Sequence, residues 1–93
     1  MDSQLDVIKF QLGHVAMTSA VAFSLNIGEI VNCLTRHQTG DWGTVCKRDK
    51  QANERALRDG DRILSKYGTT EGDIYIITEH DRSYTTVMFI NEY

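Results

Sequence analysis

The sequence predicts an α+β fold, with helices packed on one face of a three- or four-stranded, mainly antiparallel sheet. Two observations lead to this prediction. Apolar residues recur at helical spacing between residues 19 and 59, and three strand-like runs follow in the last third of the chain. Because short polar loops join antiparallel neighbours, the last third is expected to form a β-meander.

Length and composition are those of one small folded domain. The chain has 93 residues, a formal net charge of −3 and 41% hydrophobic residues. We expect a single domain over residues 1–93, which buries about two-thirds of its unfolded surface. The mild acidity argues against nucleic acid as a direct ligand. No signal peptide or long apolar segment is recognisable, so we expect a cytoplasmic protein with no membrane partner.

The cysteines and histidines show no metal-binding spacing. Cys33 and Cys46 are not in a CxxC pair, and the histidines are scattered at positions 14, 37 and 80. Ligands of structural zinc sites recur at short fixed spacings. We therefore expect no metal, no cofactor and two reduced thiols.

The first elements are a strand and a short helix. Partial alternation of apolar residues predicts a strand within residues 5–17, which Gly13 would bend or end. Thr18 can cap a helix over residues 19–25.

A second helix should begin at Asn26, which forms a capping box with Glu29. Arg36 and His37 would lie in its last turn, beside the exposed carbonyls, and Gly40 would take the left-handed position beyond it. For His37, a helix cap and a site residue both remain open. The apolar stripe of this helix has the spacing i, i+3, i+4, i+7 and comprises Ile27, Ile30, Val31 and Leu34.

The segment from His37 to Gly43 is expected to link the two halves of the fold. It contains the only tryptophan, Trp42, beside Asp41, and Gly40 and Gly43 allow its backbone to bend. No established catalytic motif has this pattern. Trp42 could fill the core or be an exposed binding residue, and the small size of the core favours the buried position.

The third predicted helix covers residues 47–59 and is closed by Gly60. Asn53 lies close to its apolar side, where an unpaired amide would cost about 1–3 kcal/mol. We infer that Asn53 bonds to the backbone of the Gly40–Gly43 loop, with an exposed Asn53 as the alternative. The apolar face is thin and comprises Ala52, Ala56 and Leu57.

The meander consists of three predicted strands. Either Tyr75 and Ile77, or Val87 and Phe89, would face the helices. The strands are predicted within residues 62–67, 73–79 and 83–90.

Glu79, Asp81 and Arg82 lie in and beside the last predicted hairpin. They could be solvated loop charges, or Arg82 could fork across carboxylates and order the loop. With Asp41 and Trp42, these three residues are the candidate partner-binding residues.

Catalysis is a weaker alternative. A metal-free nuclease would need an acid–base group, for which His37 is the candidate, and a cation on phosphate, for which Arg62 or Arg82 is the candidate. No nucleophile elbow or phosphate-binding loop is present in the sequence.

A longer string of residues resembles a family of small bacterial proteins carried on plasmids, prophages and integrated elements. Relatives bear loose names such as plasmid-related protein or type I restriction subunit M. The resemblance covers about residues 10–93, but Thr44–Arg48 replaces a usually acidic stretch. The string is His37-x-x-Gly40-Asp41-Trp42-Gly43, then Asn53-x-x-x-Leu57-x-x-Gly60-x-Arg62-Ile63-Leu64-Ser65-x-Tyr67, then Ile77-Thr78-Glu79-x-Asp81-Arg82-Ser83-x-Thr85-Thr86-Val87, ending Glu92-Tyr93.

The family that the chain resembles has no agreed activity. Its genomic habitat, with the small size, the mild acidity and the lack of a catalytic motif in this chain, leads us to expect a non-catalytic accessory protein of a mobile element that binds a host- or element-encoded protein. An inhibitor of a defence system, either CRISPR or restriction, is its most concrete form. The alternatives are the metal-free nuclease and a self-associating structural domain. A homodimer of that kind would pair through an exposed edge strand at residues 83–90.

Overall fold

Residues 7–93, which the computed structural model describes, form three α-helices and one four-stranded sheet. The α+β fold expected from the sequence is confirmed. In chain order the elements are β1 (His14–Met17), α1 (Ser19–Ser24), α2 (Ile27–Gln38), α3 (Lys47–Asp59), β2 (Ile63–Thr69), β3 (Gly72–Thr78), β4 (Tyr84–Phe89) and a 3₁₀ turn (Ile90–Glu92).

The strand order of the sheet is β1-β4-β3-β2. The meander is confirmed, since β2 pairs with β3 and β3 pairs with β4 in antiparallel register. β1 pairs with β4 in parallel register, with Val15 opposite Thr85. The expected exposed edge at residues 83–90 is therefore wrong: β4 has a neighbour on each side, and the edges of the sheet are β1 and β2.

β1 is shorter and later than the predicted strand. It begins after Gly13, whereas residues 7–13 form no strand and the start of the predicted range, residues 5 and 6, lies outside the described residues. Gly13 has φ of 66°, and a Cβ there would lie 2.3 Å from the carbonyl oxygen of Ser83. Gly13 thus lets the chain pass close to β4 before pairing with it.

Side chains cap both α1 and α2 at their N-termini. Thr18 accepts from the Val21 amide, and Asn26 accepts from the Glu29 amide at 2.9 Å, as predicted. The capping box also predicted that the Glu29 side chain reaches back to Asn26, and this part is wrong. The Glu29 carboxylate accepts from the amide and hydroxyl of Thr70, and so ties α2 to the β2–β3 turn.

The buried face of α2 is rotated relative to the predicted stripe. Ile30, Cys33 and His37 are buried, whereas Ile27 and Val31 are exposed. This rotation follows from the side-chain contacts of α2, because Glu29 holds one flank to the β2–β3 turn and His37 finds polar partners inside the sheet. Ile27 and Val31 are therefore left exposed to solvent.

Two hydrophobic clusters fill the space between the helices and the sheet. Val87 and Phe89 face the helices, and Tyr75 lies on the opposite face, where its ring packs against Tyr93. The buried residues of the first cluster are Val21, Leu25, Ile30, Cys33, Tyr67, Ile74, Ile76 and Val87. Those of the second are Phe10, Trp42, Val45, Ala56 and Ile63.

None of the helices described in residues 7–93 combines the length and hydrophobicity needed to cross a membrane.

Candidate functional site

The structure gathers three of the predicted site residues around a ring that the sequence did not single out, that of Phe10. The Phe10 ring centroid lies 5.1 Å from that of His37 and 6.2 Å from that of Trp42. The guanidinium carbon of Arg82 lies 5.6 Å from the same ring. Phe10 was visible to sequence reasoning only as one apolar residue of a strand, which is why its central position was missed.

His37 is fully buried and has a polar partner on each ring nitrogen. Nδ1 lies 2.6 Å from Oγ of Ser65, and Nε2 lies 2.9 Å from Oγ1 of Thr78. The hydrogen bonds continue from Thr78 to Thr85 at 2.7 Å, and from the Thr85 hydroxyl to the carbonyl of Leu12. We call these residues the polar chain.

The Leu12 carbonyl sets the direction of the polar chain, because a carbonyl only accepts. Thr85 donates to Leu12, so Thr78 donates to Thr85 and must accept from His37. The proton of the neutral ring is thereby assigned to Nε2, and Nδ1 accepts from Ser65. Burial, with a smaller effect of the Arg82 charge, lowers the pKa of His37 to about 3. The ring is neutral near pH 7.

His37 is not the C-cap of α2. That position belongs to Thr39, whose backbone amide donates to the carbonyls of Thr35 and His37. The histidine side chain points into the core because Ser65 and Thr78 offer it partners there. With both ring nitrogens occupied and no exposed surface, His37 does not present a base to a bound substrate.

Trp42 is buried, as the sequence predicted, with 5% of its surface exposed. Its ring stacks on Phe10, and Nε1 donates to Oε2 of Glu54 on α3 at 2.8 Å. The indole thus supplies the apolar area that α3 lacks. It is a packing residue, and its ring is not available as an exposed binding residue.

Asp41 closes the loop between α2 and α3. Its carboxylate pairs with Arg36 at 2.7 Å and accepts from the Gly43 amide. Its backbone carbonyl accepts from the Tyr67 hydroxyl, and the Arg36 guanidinium lies 4.6 Å from the centre of the Tyr67 ring. The Arg36 hydrogen bond holds the pKa of Asp41 below its usual value.

Gly40 and Gly43 both have positive φ, of 90° and 73°. Gly43 bridges to Lys66, and a Cβ on Gly43 would lie 1.9 Å from the Lys66 carbonyl oxygen. The Lys66 amide donates to Trp42, and the Thr44 amide donates to Lys66. The loop therefore covers part of the outer edge of β2, which only glycine at position 43 permits.

Asn53 is buried, but its partner differs from the one predicted. Its amide nitrogen donates to the Leu64 carbonyl at 2.7 Å, and its amide oxygen accepts from the Leu64 N–H at 3.1 Å. The inferred contact with the Gly40–Gly43 loop is wrong. β2 is an edge strand, so its backbone offers both a donor and an acceptor to α3, and one amide satisfies both.

Arg82 orders the β3–β4 turn through backbone carbonyls, so the alternative in which it forks across carboxylates is wrong. Its backbone has φ of 60°, which is rare for a residue with a side chain. Asp81 caps the turn by accepting from the Ser83 amide. Hydrogen bonding by the Ser83 side chain, and to a smaller extent by the Ser83 amide, lowers the pKa of Asp81. The guanidinium of Arg82 donates to the carbonyls of Ala56, Asp61, Glu79 and His80.

Arg62 is directed to a different part of the molecule. It donates to the hydroxyl of Tyr93, whose ring packs on Tyr75 on the face of the sheet away from the helices. His37 lies on the helix side of the same sheet. The structure therefore does not bring Arg62 and His37 into one cleft.

Open cavities of about 570 and 260 Å³ lie on the surface of the described residues. His37, Arg62 and Arg82 line neither. The larger cavity lies between α1, the β2–β3 turn and the 3₁₀ turn, and its lining includes Glu71, Asp73 and Glu92. Within residues 7–93, no group of three or more His, Cys, Asp or Glu side chains is arranged to hold a metal ion.

Comparisons of this chain with protein-family models, curated proteins and solved structures gave no match. The class of protein is therefore defined by the fold and the geometry alone. It is an α+β domain in which the prominent sequence motifs hold the loop, the turn and the core together.

Proposed function

We propose that this chain is a mobile-element accessory protein that acts by binding a host- or element-encoded protein. The observation that supports the proposal best is an apolar ridge on α1 and α2, formed by Phe23, Ile27 and Val31. These side chains are 91%, 67% and 51% exposed. Large apolar patches on the surface of a monomeric protein commonly mark interaction sites.

The apolar ridge is not needed to hold the fold together. The apolar core-facing residues of the same two helices are Val21, Ile30 and Cys33, all of them buried, and the cap residue Leu25 is buried beside them. Ile27 and Val31 lie one turn apart on α2, so they share one face of that helix. Phe23 lies near the end of α1, and the extended residues Leu25 and Asn26 separate the two helices. A partner with an apolar surface would suit these exposed side chains.

Charge beside the ridge narrows the chemistry of the partner. Ala20 and Ser24, which flank Phe23 on α1, line the same cavity as Glu71, Asp73 and Glu92. The surface next to Phe23 is therefore acidic. The partner we infer has lysine or arginine residues at the rim of its apolar surface, because complementary charge favours the correct orientation and speeds association.

The positions of the candidate residues favour binding over the nuclease alternative. His37 is buried with both ring nitrogens hydrogen-bonded. The guanidinium of Arg82 donates to backbone carbonyls. A nuclease would need both groups to reach a phosphodiester in one cleft. The structure supplies no such cleft within residues 7–93.

The concrete form that we propose is an inhibitor of a bacterial defence system, CRISPR or restriction, acting in the cytoplasm. This part of the proposal is supported by the resemblance to proteins of plasmids and prophages.

Phage plating on cells with an active CRISPR or restriction system tests the proposal. Expression of the chain should raise plating by at least about tenfold, and Phe23→Ser should abolish the increase by removing the most exposed apolar side chain. The matched control is Tyr84→Ser, which removes an exposed aromatic residue from β4. Equal activity of Phe23→Ser and the wild-type chain would contradict the role of the ridge. No effect of the wild-type chain on either system would contradict the defence role.

A further inference from the structure

The two edges of the sheet differ in how they are covered. At β2 the outer edge is occupied by the Gly43 bridge, the Thr44 amide and the Asn53 side chain. At β1, residues 14–16 are exposed, and no group within residues 7–93 bonds to the outer side of the strand. β1 also lacks the lysine or proline that commonly protects an edge from pairing.

The amides of β1 alternate in direction. Those of His14 and Thr18 donate to carbonyls of β4, at Ser83 and Val87. By the two-residue repeat of a strand, the Ala16 amide points to β4 as well, and the amides and carbonyls of Val15 and Met17 point outward. The outer edge therefore offers two donors and two acceptors, centred on Ala16.

This pattern is self-complementary. We propose that two copies of the chain associate through antiparallel pairing of β1 with β1, about a two-fold axis that passes beside Ala16. Val15 of each copy exchanges both backbone hydrogen bonds with Met17 of the other. The pairing makes four hydrogen bonds and joins the two sheets into one of eight strands.

The side chains at the centre of β1 suit this arrangement. Ala16 faces Ala16 of the second copy in a non-hydrogen-bonded pair, where Cα atoms approach to about 4.5 Å and a small side chain is accommodated. Val15 lies on the helix side, since it is opposite the buried Thr85, and it is 41% exposed. Val15 and Met17 then meet across the interface. β1 carries no side chain with a fixed charge, so identical strands do not repel.

The contact is small. A four-residue strand falls short of the roughly 800 Å² per partner that stable dimers bury. We therefore expect a weak dimer that forms at high concentration. It does not use Phe23, so the proposed binding function and this pairing are tested by different variants.

Disulfide trapping tests the register. In a Cys46→Ser background, which removes the exposed native thiol, Ala16→Cys places two thiols across the two-fold axis. The Cα separation of about 4.5 Å lies within the range of a disulfide. Diamide, the added oxidant, takes up the two hydrogens as the bond forms. We expect rapid covalent dimer formation for Ala16→Cys. His14→Cys is the matched control, because position 14 lies opposite position 18 and its thiols stay far apart.

Two further measurements keep the proposal falsifiable if the cysteine variants fold poorly. Sedimentation equilibrium of the wild-type chain should show dimerisation by about 1 mM, the range of weak contacts, and Ala16→Glu should raise the dissociation constant by about tenfold or more. Amide exchange of Val15 and Met17 should slow as the concentration rises. A monomer at all concentrations, equal trapping at positions 14 and 16, or rapid exchange of Val15 and Met17 within a dimer would each overturn the proposal.

Discussion

The titratable ring of His37 occupies a fully buried position in the core. Burial is tolerable because each nitrogen has a partner, Ser65 on one side and Thr78 on the other. The protonated ring would need two acceptors, but Ser65 would have to reverse its hydroxyl to accept. The neutral form is therefore the one that the polar chain fits.

This geometry predicts a loss of stability in acid. The pKa of His37 is about 3 in the folded chain and 6.5 when the chain is unfolded. Between pH 3 and pH 6.5, His37 is protonated in the unfolded chain and neutral in the folded chain. Stability contributed by the neutral ring is complete above pH 6.5 and falls by about 1.4 kcal/mol per pH unit between pH 6.5 and 3.

Urea unfolding of the wild-type chain and of His37→Gln across this pH range measures the effect. Carboxylates also titrate there, so the difference between the two slopes isolates His37. The matched control is His14→Gln, the same substitution at an exposed histidine. Equal slopes for His37→Gln and the wild-type chain would show that the ring is protonated in the fold.

At the scale of elements, α3 is attached to the sheet by polar as well as apolar contacts. Ala56 of α3 is buried, but the apolar face of this helix is small. Asn53 adds two hydrogen bonds between α3 and Leu64 of β2. An amide side chain can pair with an edge strand in the same way as a neighbouring strand would. This explains how a helix with so thin an apolar face docks.

Asn53→Ala should therefore lower the free energy of unfolding by about 1–3 kcal/mol, because it leaves the N–H and C=O of Leu64 unpaired. Chemical denaturation measures the loss. Gln51→Ala, at an exposed position of the same helix, should change stability by less than about 0.5 kcal/mol. If both variants were equally stable, the Leu64 groups would be satisfied by water.

The parts that sequence predicts well are the local ones. Thr18 and Asn26 correctly predict where α1 and α2 begin, and Gly60 predicts where α3 ends. These positions are predictable because a helix cap depends on a few consecutive residues. Strand order does not follow from local pattern: the pairing of Val15 with Thr85 joins residues far apart in sequence. The polar chain has no periodic signature either, since Ser65, Thr78 and His37 come from different elements.

The same reasoning explains why the motif string informs the fold more than the function. Asp41 closes a loop, Gly43 permits a close approach, and Arg82 binds four carbonyls. These residues are conspicuous because backbone geometry demands particular side chains there. The exposed residues of the apolar ridge, Phe23, Ile27 and Val31, do not belong to the motif string. A surface used for binding one partner leaves no fixed pattern of residue types.

For the whole molecule, the N-terminal segment, residues 7–13, links β4, the end of α2 and the second cluster. Thr85 donates to Leu12, 73 residues away, and the Lys9 amide donates to Gln38 at the end of α2. Phe10 belongs to the second cluster and its ring packs against His37, which bonds to Thr78 of β3. The segment thus couples the loop, the turn and the core.

If the segment couples these parts, the chain unfolds in one cooperative transition. Phe10→Ala should then lower the stability of the whole domain. The variant opens a cavity against Trp42, His37 and Arg82, so it should cost about 3–5 kcal/mol. Trp42 fluorescence reports the second cluster, and far-UV circular dichroism reports the helices and the sheet. Both transitions should shift to lower urea together, in the variant as in the wild-type chain. Val7→Ala, at an exposed position of the same segment, should leave the midpoint unchanged. A fluorescence transition that precedes the loss of secondary structure would show instead that the second cluster opens independently of the sheet.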